Sequence, residues 1–199
     1  MSRASPAVLA VLILACGVDP ASPPPAPLAT TEAALSSRQC PPPVPAALAP
    51  GADQELFRVL PAEGVQIYAC TATGWVFESP DALLLKDGVD DDGDRVILGH
   101  HYAGPTWEYK DRSFVVGVRL AGATVDPTAI PWLLLRAGST SATGVFSAAS
   151  RIQRLQTTGG TAPATGCDAT TLGAKARVPY TATYYFYRTV SGKPHPSCT

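Results

Sequence analysis

From Cys40 onward the chain has no long stretch with the 3.6-residue apolar period of an amphipathic helix; its apolar residues recur at every second position. Val65, Ile67 and Ala69 alternate with Gln66, Tyr68 and Cys70. Phe114, Val116, Val118 and Leu120 alternate with their neighbours in the same way. A two-residue period sends successive side chains to opposite faces of an extended strand, so these segments read as strands with two unlike faces. Trp75-Val-Phe77 is a short aromatic and β-branched segment that Pro80 is expected to close. Residues 82–85 fit either a buried strand or a helical turn. Trp132-Leu-Leu-Leu135 reads as a strand buried on both faces. Residues 151–157 are β-branched but alternate poorly. In residues 178–189, Ala182, Tyr184 and Phe186 take one side and Thr183, Tyr185 and Tyr187 the other. The expectation is an all-β fold: a single-domain sandwich or partly closed barrel of about eight to ten short antiparallel strands.

At 199 residues the chain has room for one such domain, with about two-thirds of its unfolded surface buried. A net charge of -1 supplies no electrostatic footprint for nucleic acid or for an acidic membrane surface. The ends of the chain read differently from its middle. Arg3 followed by an apolar run over 7–15 has the pattern of a signal peptide over 1–15, too short to span a bilayer as a helix. The run ends Ile13-Leu14-Ala15-Cys16-Gly17, which is similar to a bacterial lipobox, so Cys16 is the expected lipidation site. An ordinary signal peptide is the alternative, and both readings place the domain outside the cytoplasm. Residues 16–38, rich in proline, form an extended or disordered tether. The β-rich domain then occupies 39–199. A lipidated Cys16 makes the membrane a partner without any transmembrane helix.

Four cysteines remain after Cys16, and in an exported domain they suggest two disulfides with three pairings open. The pairing expected here is Cys70 with Cys167 and Cys40 with Cys198, the second tying the domain's ends together. No Cys-x-x-Cys spacing argues for zinc or for thioredoxin-like chemistry.

Costly side chains are concentrated in residues 99–113. His100 and His101 are adjacent, so in a strand they face opposite ways and chelate poorly; the third histidine, His195, sits in a proline-flanked tail. No metal and no cofactor is expected. His101 with Glu108 or Asp111 is the candidate acid–base pair, the carboxylate raising the imidazole pKa. Against it stands a plainer reading, which the residues favour: His101 donates to a backbone carbonyl and locks the Gly104-Pro105 turn, with Trp107 as core. Tyr102, Trp107 and Tyr109 are candidate ligand-stacking residues if exposed, and core if not. Tyr185 and Tyr187 join them if their face is open. Asp90, Asp91, Asp92 and Asp94 would suit calcium by composition, but their spacing fails the EF-hand pattern and reads as a solvated turn. No Gly-x-Ser-x-Gly elbow occurs.

Several blocks share an order with one known family. They are Pro43-Val-Pro45 with Leu48, Gly64-Val-Gln-Ile-Tyr-Ala-Cys70, His101-Tyr-Ala-Gly-Pro-Thr-Trp-Glu108 and Ile130-Pro-Trp-Leu-Leu-Leu135. Arg154, Thr158-Gly-Gly-Thr-Ala-Pro163, Cys167 and Val178-Pro-Tyr-Thr-Ala-Thr-Tyr-Tyr-Phe-Tyr187 complete the set. Together they resemble the exported family of bacteria and fungi catalogued as domain of unknown function 3455, over roughly residues 40–188. The resemblance implies a secreted β-rich domain and no assigned activity. Some fungal members carry a malate dehydrogenase label, which this chain does not support, since it has no Gly-x-Gly-x-x-Gly and no βαβ pattern. The acidic run at 90–94 and Asp111-Arg-Ser113 depart from the family's usual pattern.

Three functions follow from these features. The first is a lipid-anchored extracytoplasmic domain that binds a small molecule or a wall component. The second is a hydrolase using His101 with Glu108 or Asp111. The third is an envelope structural protein without a small-molecule site.

Overall fold

The computed structural model describes residues 40–192. Eight strands follow in chain order: β1 (Gln54–Thr71), β2 (Gly74–Leu85), β3 (Ile97–Tyr102), β4 (Thr106–Tyr109), β5 (Phe114–Ala123), β6 (Trp132–Thr140), β7 (Arg151–Gly159) and β8 (Lys175–Thr189). A 3-10 turn, Ala46–Leu48, precedes them, and there is no α-helix among the described residues. Each strand pairs antiparallel with its neighbours in sequence, and β8 returns to pair with β1. The all-β expectation therefore holds as a closed barrel, with no free sheet edge to protect. The expected signal peptide, Cys16, the tether, His195 and Cys198 lie outside the described residues.

The strands are not uniformly short. β1 runs for 18 residues, β8 for 15 and β2 for 12. Pro80, expected to end the Trp75 segment, sits inside β2, and residues 82–85 are the end of that same strand. The register explains how three prolines are tolerated. Pro80 pairs with Gln66 on β1, whereas β2 meets β3 only from Ala82 onward. Pro61 pairs with Thr183 on β8, one residue before β1 meets β2 at Ala62. Pro179 pairs with Val65, one residue before β8 meets β7 at Tyr180. Each proline stands where its strand has a neighbour on one side only, so a missing N–H breaks no second ladder.

One end of the barrel is filled. Phe146, from the loop between β6 and β7, reaches the interior and packs on Phe186 at 4.5 Å and on Tyr109 at 5.9 Å between ring centroids. The turn between β4 and β5 clamps this plug. Asp111 Oδ2 accepts from Val145 N at 2.9 Å, and Ser113 Oγ accepts from Phe146 N at 3.1 Å. Gly144 makes the close approach possible: at φ +92° it adopts left-handed backbone, and a Cβ there would lie 2.5 Å from Ser113 Cβ.

A second apolar cluster lies outside the barrel wall. Leu155, Tyr185 and Tyr187 pack there against Val44, Leu56, Val59 and Trp132. Gln153 on β7 pins the N-terminal segment by donating to Leu48 O at 2.7 Å, and it accepts from the Tyr187 hydroxyl at 2.5 Å. Tyr185 and Tyr187 are thus buried at 2% and 4% exposure, and the open face they needed as stacking residues is covered. Cys70 and Cys167 form the expected disulfide, joining the end of β1 to the loop before β8. Cys40 is disulfide-bonded as well.

Candidate functional site

The β3–β4 hairpin turns at residues 103–105 and sets His101 opposite Trp107, His100 opposite Glu108 and Tyr102 opposite Thr106. Directly opposed residues share a face, so His101 and Trp107 point into the barrel while His100 and Glu108 point out. The two histidines do face opposite ways. On the outer face, His100 Nε2 meets Asp81 Oδ1 at 2.8 Å, and Asp81 is also held by Arg177 at 2.6 Å. These two partners, Arg177 first, lower the Asp81 pKa.

His101 is 2% exposed. Its ring stacks on Trp107 at 4.3 Å with an interplanar angle of 9°, and it meets Tyr184 edge-on at 5.0 Å. Nδ1 donates to Thr106 O at 2.8 Å. Burial pushes the imidazole pKa down to about 3, and the nearby Arg154 charge adds to the effect against the Thr106 hydrogen bond. The ring is therefore neutral at physiological pH, with its proton on Nδ1. The plainer sequence reading is the one the structure realises.

The proposed acid–base partners are not brought together with it. Glu108 accepts from the Tyr102 hydroxyl at 2.9 Å and faces Arg112 at 3.6 Å, on the outer side of the sheet. Asp111 is occupied by Ser113 and Val145 in the plug clamp, and these hydrogen bonds, the Ser113 hydroxyl foremost, lower its pKa. Of the three stacking candidates, Tyr102 pairs with Glu108 outside, Tyr109 is core beside Phe146, and Trp107 alone lines a cavity. Asp90 Oδ1 accepts from Asp92 N and Asp94 N, so the acidic run is a self-bonded turn.

The cavity lies at the end of the barrel away from the Phe146 plug and has a volume of about 620 Å³. An eight-stranded barrel has an interior that side chains just fill or that holds one small ligand; here the plug fills one end and leaves the other open. Phe77, Pro105 and Arg119 stand at its mouth with Glu78, whose carboxylate is engaged by Lys175. Ile130, Leu133 and Leu135 form an apolar wall. Deeper lie His101, Trp107 and Tyr184, with Gln66, Tyr68 and Arg154. Gly117 lets the indole sit there, since a Cβ on it would lie 2.8 Å from the Trp107 ring.

The matching family is described as Protein of unknown function (DUF3455), and the match spans residues 50–188. The chain belongs to that family. No curated protein and no solved structure matches it. In this DUF3455 domain, blocks that carry the resemblance surround the cavity: Gln66 and Tyr68 from one, His101 and Trp107 from another, Ile130 to Leu135 from a third, then Arg154 and Tyr184.

Gln66 and Arg154 are the site residues that sequence reading overlooks. Their signal lies in which face is buried. On β1 the buried face is Gln66, Tyr68 and Cys70, not Val65, Ile67 and Ala69. On β5 Val118 and Leu120 are exposed while Arg119 turns to the cavity mouth. At this end of the DUF3455 barrel the usual inside and outside are exchanged, because the inside is a wall around a space and not a packed core.

Proposed function

We propose that this DUF3455 domain is a small-molecule-binding barrel that holds one ligand in its end cavity. The observation that carries the reading is the cavity itself: a volume of about 620 Å³, apolar along one wall, with buried polar side chains converging at its depth. That combination is what small-ligand sites present. His101 serves as a fixed neutral aromatic wall, stacked and hydrogen-bonded in place, and not as a proton-transfer group. In a hydrolytic pair the carboxylate would accept from the imidazole N–H, but that N–H is given to Thr106 O, while Glu108 is bonded to Tyr102 and Asp111 to Val145.

Filling the cavity tests the reading. An environment-sensitive apolar dye should bind the wild-type domain with one-to-one stoichiometry. Leu133→Trp, placed on the apolar wall, should abolish that binding while the melting temperature stays within a few degrees. Equal dye binding by both proteins would put the site elsewhere, and no binding to the wild type would favour an envelope structural role.

The same proposal extends to address: a lipid-anchored domain facing an oxidising compartment. The lipobox-like sequence at Cys16 supports the anchor, and the disulfide between Cys70 and Cys167 supports the compartment. Cys16→Ser should move the full chain from the membrane to the soluble fraction, and retention at the membrane would remove the anchor.

A further inference from the structure

Two polar atoms on the cavity residues are buried without a hydrogen-bond partner, and both are donors: Gln66 Nε2 and Trp107 Nε1. A buried N–H left unpaired is costly, and native interiors rarely tolerate one without a reason. The two tyrosines between these donors link them into one cluster. Tyr180 and Tyr184 hydroxyls lie 3.3 Å apart; the Gln66 amide is a weak hydrogen-bonding neighbour of the first, and the Trp107 indole and Arg154 guanidinium are weak neighbours of the second, none of them with full hydrogen-bond geometry.

The charge in the cluster is also unmatched. Arg154 stands on β7 between Leu133 of β6 and Tyr184 of β8. It gives Nε and Nη2 to Pro131 O at 3.2 and 2.9 Å, which fixes the guanidinium plane; beyond the weak contact with the Tyr184 hydroxyl, the N–H groups on the other side of the fork have no partner with full hydrogen-bond geometry. It makes no ion pair among the described residues, and neither does Arg119 at the mouth. The one carboxylate lining the cavity, Glu78, is taken by Lys175 at the rim. His101, neutral, adds no charge.

We infer that the end cavity takes a small monocarboxylate with an apolar body, its carboxylate held on the free side of Arg154 and received by the Trp107 and Gln66 N–H groups. The inference rests on the ligand-binding reading and deepens it. A planar fork matches a carboxylate's two oxygens, and the orphan donors supply the further hydrogen bonds that an acceptor-only group can use. Arg154, half-buried, is the one cation at the depth of the cavity, with Arg119 out at the mouth, and its charge balances one negative charge and not the nearly two of a phosphate ester. The wall of Ile130, Leu133 and Leu135 accounts for the apolar body.

The test is calorimetric titration of the wild-type domain with octanoate, octanamide and octyl phosphate, probes that share a chain and differ in the head group. Octanoate should bind at least about tenfold more tightly than octanamide, in line with a charge-assisted pair, and more tightly than octyl phosphate. Arg154→Gln should bring octanoate down to the octanamide value, and Arg154→Lys should keep part of the difference. Octanamide binding as well as octanoate in the wild type would overturn the carboxylate assignment while leaving the ligand-binding reading intact. A preference for octyl phosphate would overturn it in favour of another anion. If none of the probes binds, the ligand-binding reading fails with it. The wild-type comparison stands even if an Arg154 variant does not fold.

Discussion

Register at single residues decides what this domain can do. With His101 set opposite Trp107, the imidazole is taken out of water and away from Glu108, one position along the same hairpin. Its depressed pKa has a consequence for folding. The unfolded chain takes up this proton near pH 6.5 and the native chain only near 3, so below 6.5 the unfolded state binds more protons. The stability is fully present above 6.5 and is lost as pH falls toward 3, at up to about 1.4 kcal/mol per pH unit. His101→Phe keeps the stack on Trp107 but cannot titrate. Urea unfolding between pH 7 and 4.5 should show a flatter dependence in the variant than in the wild type, whatever it loses at pH 7 with the hydrogen bond to Thr106 O. Parallel curves would mean that the ring is protonated in the native state. The pairing of His101 was only half legible: adjacency placed the two histidines on opposite faces, but nothing local to the sequence says which face is inside.

Among the elements, alternation was enough to find the strands and not enough to orient them. β1 and β5 alternate well, and the fold class followed from them. Their more apolar faces nevertheless look outward at the cavity end, because Gln66, Tyr68 and Arg119 are needed on the inside. The prolines misled for a related reason. Pro80 ends nothing because β2 has one neighbour there, a fact of register that residue type cannot reveal. Nothing local to the sequence marks the β6–β7 loop as a plug, yet Asp111, singled out as chemistry, clamps that loop from the β4–β5 turn. Asp111→Ala should destabilise the fold by about 1–2 kcal/mol through the lost hydrogen bonds to Val145 and Ser113. Phe146→Ala should cost about 3–5 kcal/mol by emptying the filled end. Neither should alter octanoate affinity at the opposite end by more than about twofold, about 0.4 kcal/mol. A parallel loss of binding in Asp111→Ala would return that carboxylate to the site.

At the scale of the whole molecule, the barrel is a tube closed at one end by its own loop and lined at the other by donors. The disulfide between Cys70 and Cys167, spanning a sequence separation of 97, braces the rim of the open end, where β1 and the loop before β8 leave the sheet. The family pattern was legible as an order of blocks, and that order becomes spatial only when β8 closes on β1 and gathers them around one cavity. Carboxylate binding at the open end depends on the Trp107 and Gln66 N–H groups being there to meet a ligand. The most direct measurement is therefore the ¹⁵N–¹H spectrum of the domain titrated with octanoate, read at the Trp107 indole and the Gln66 side-chain amide. Both N–H resonances should move downfield together and saturate at one equivalent, with Trp75 and Trp132 indoles unmoved. If Trp107 and Gln66 hold their positions while groups on the outer face shift, the cavity is not the binding site and the account is wrong.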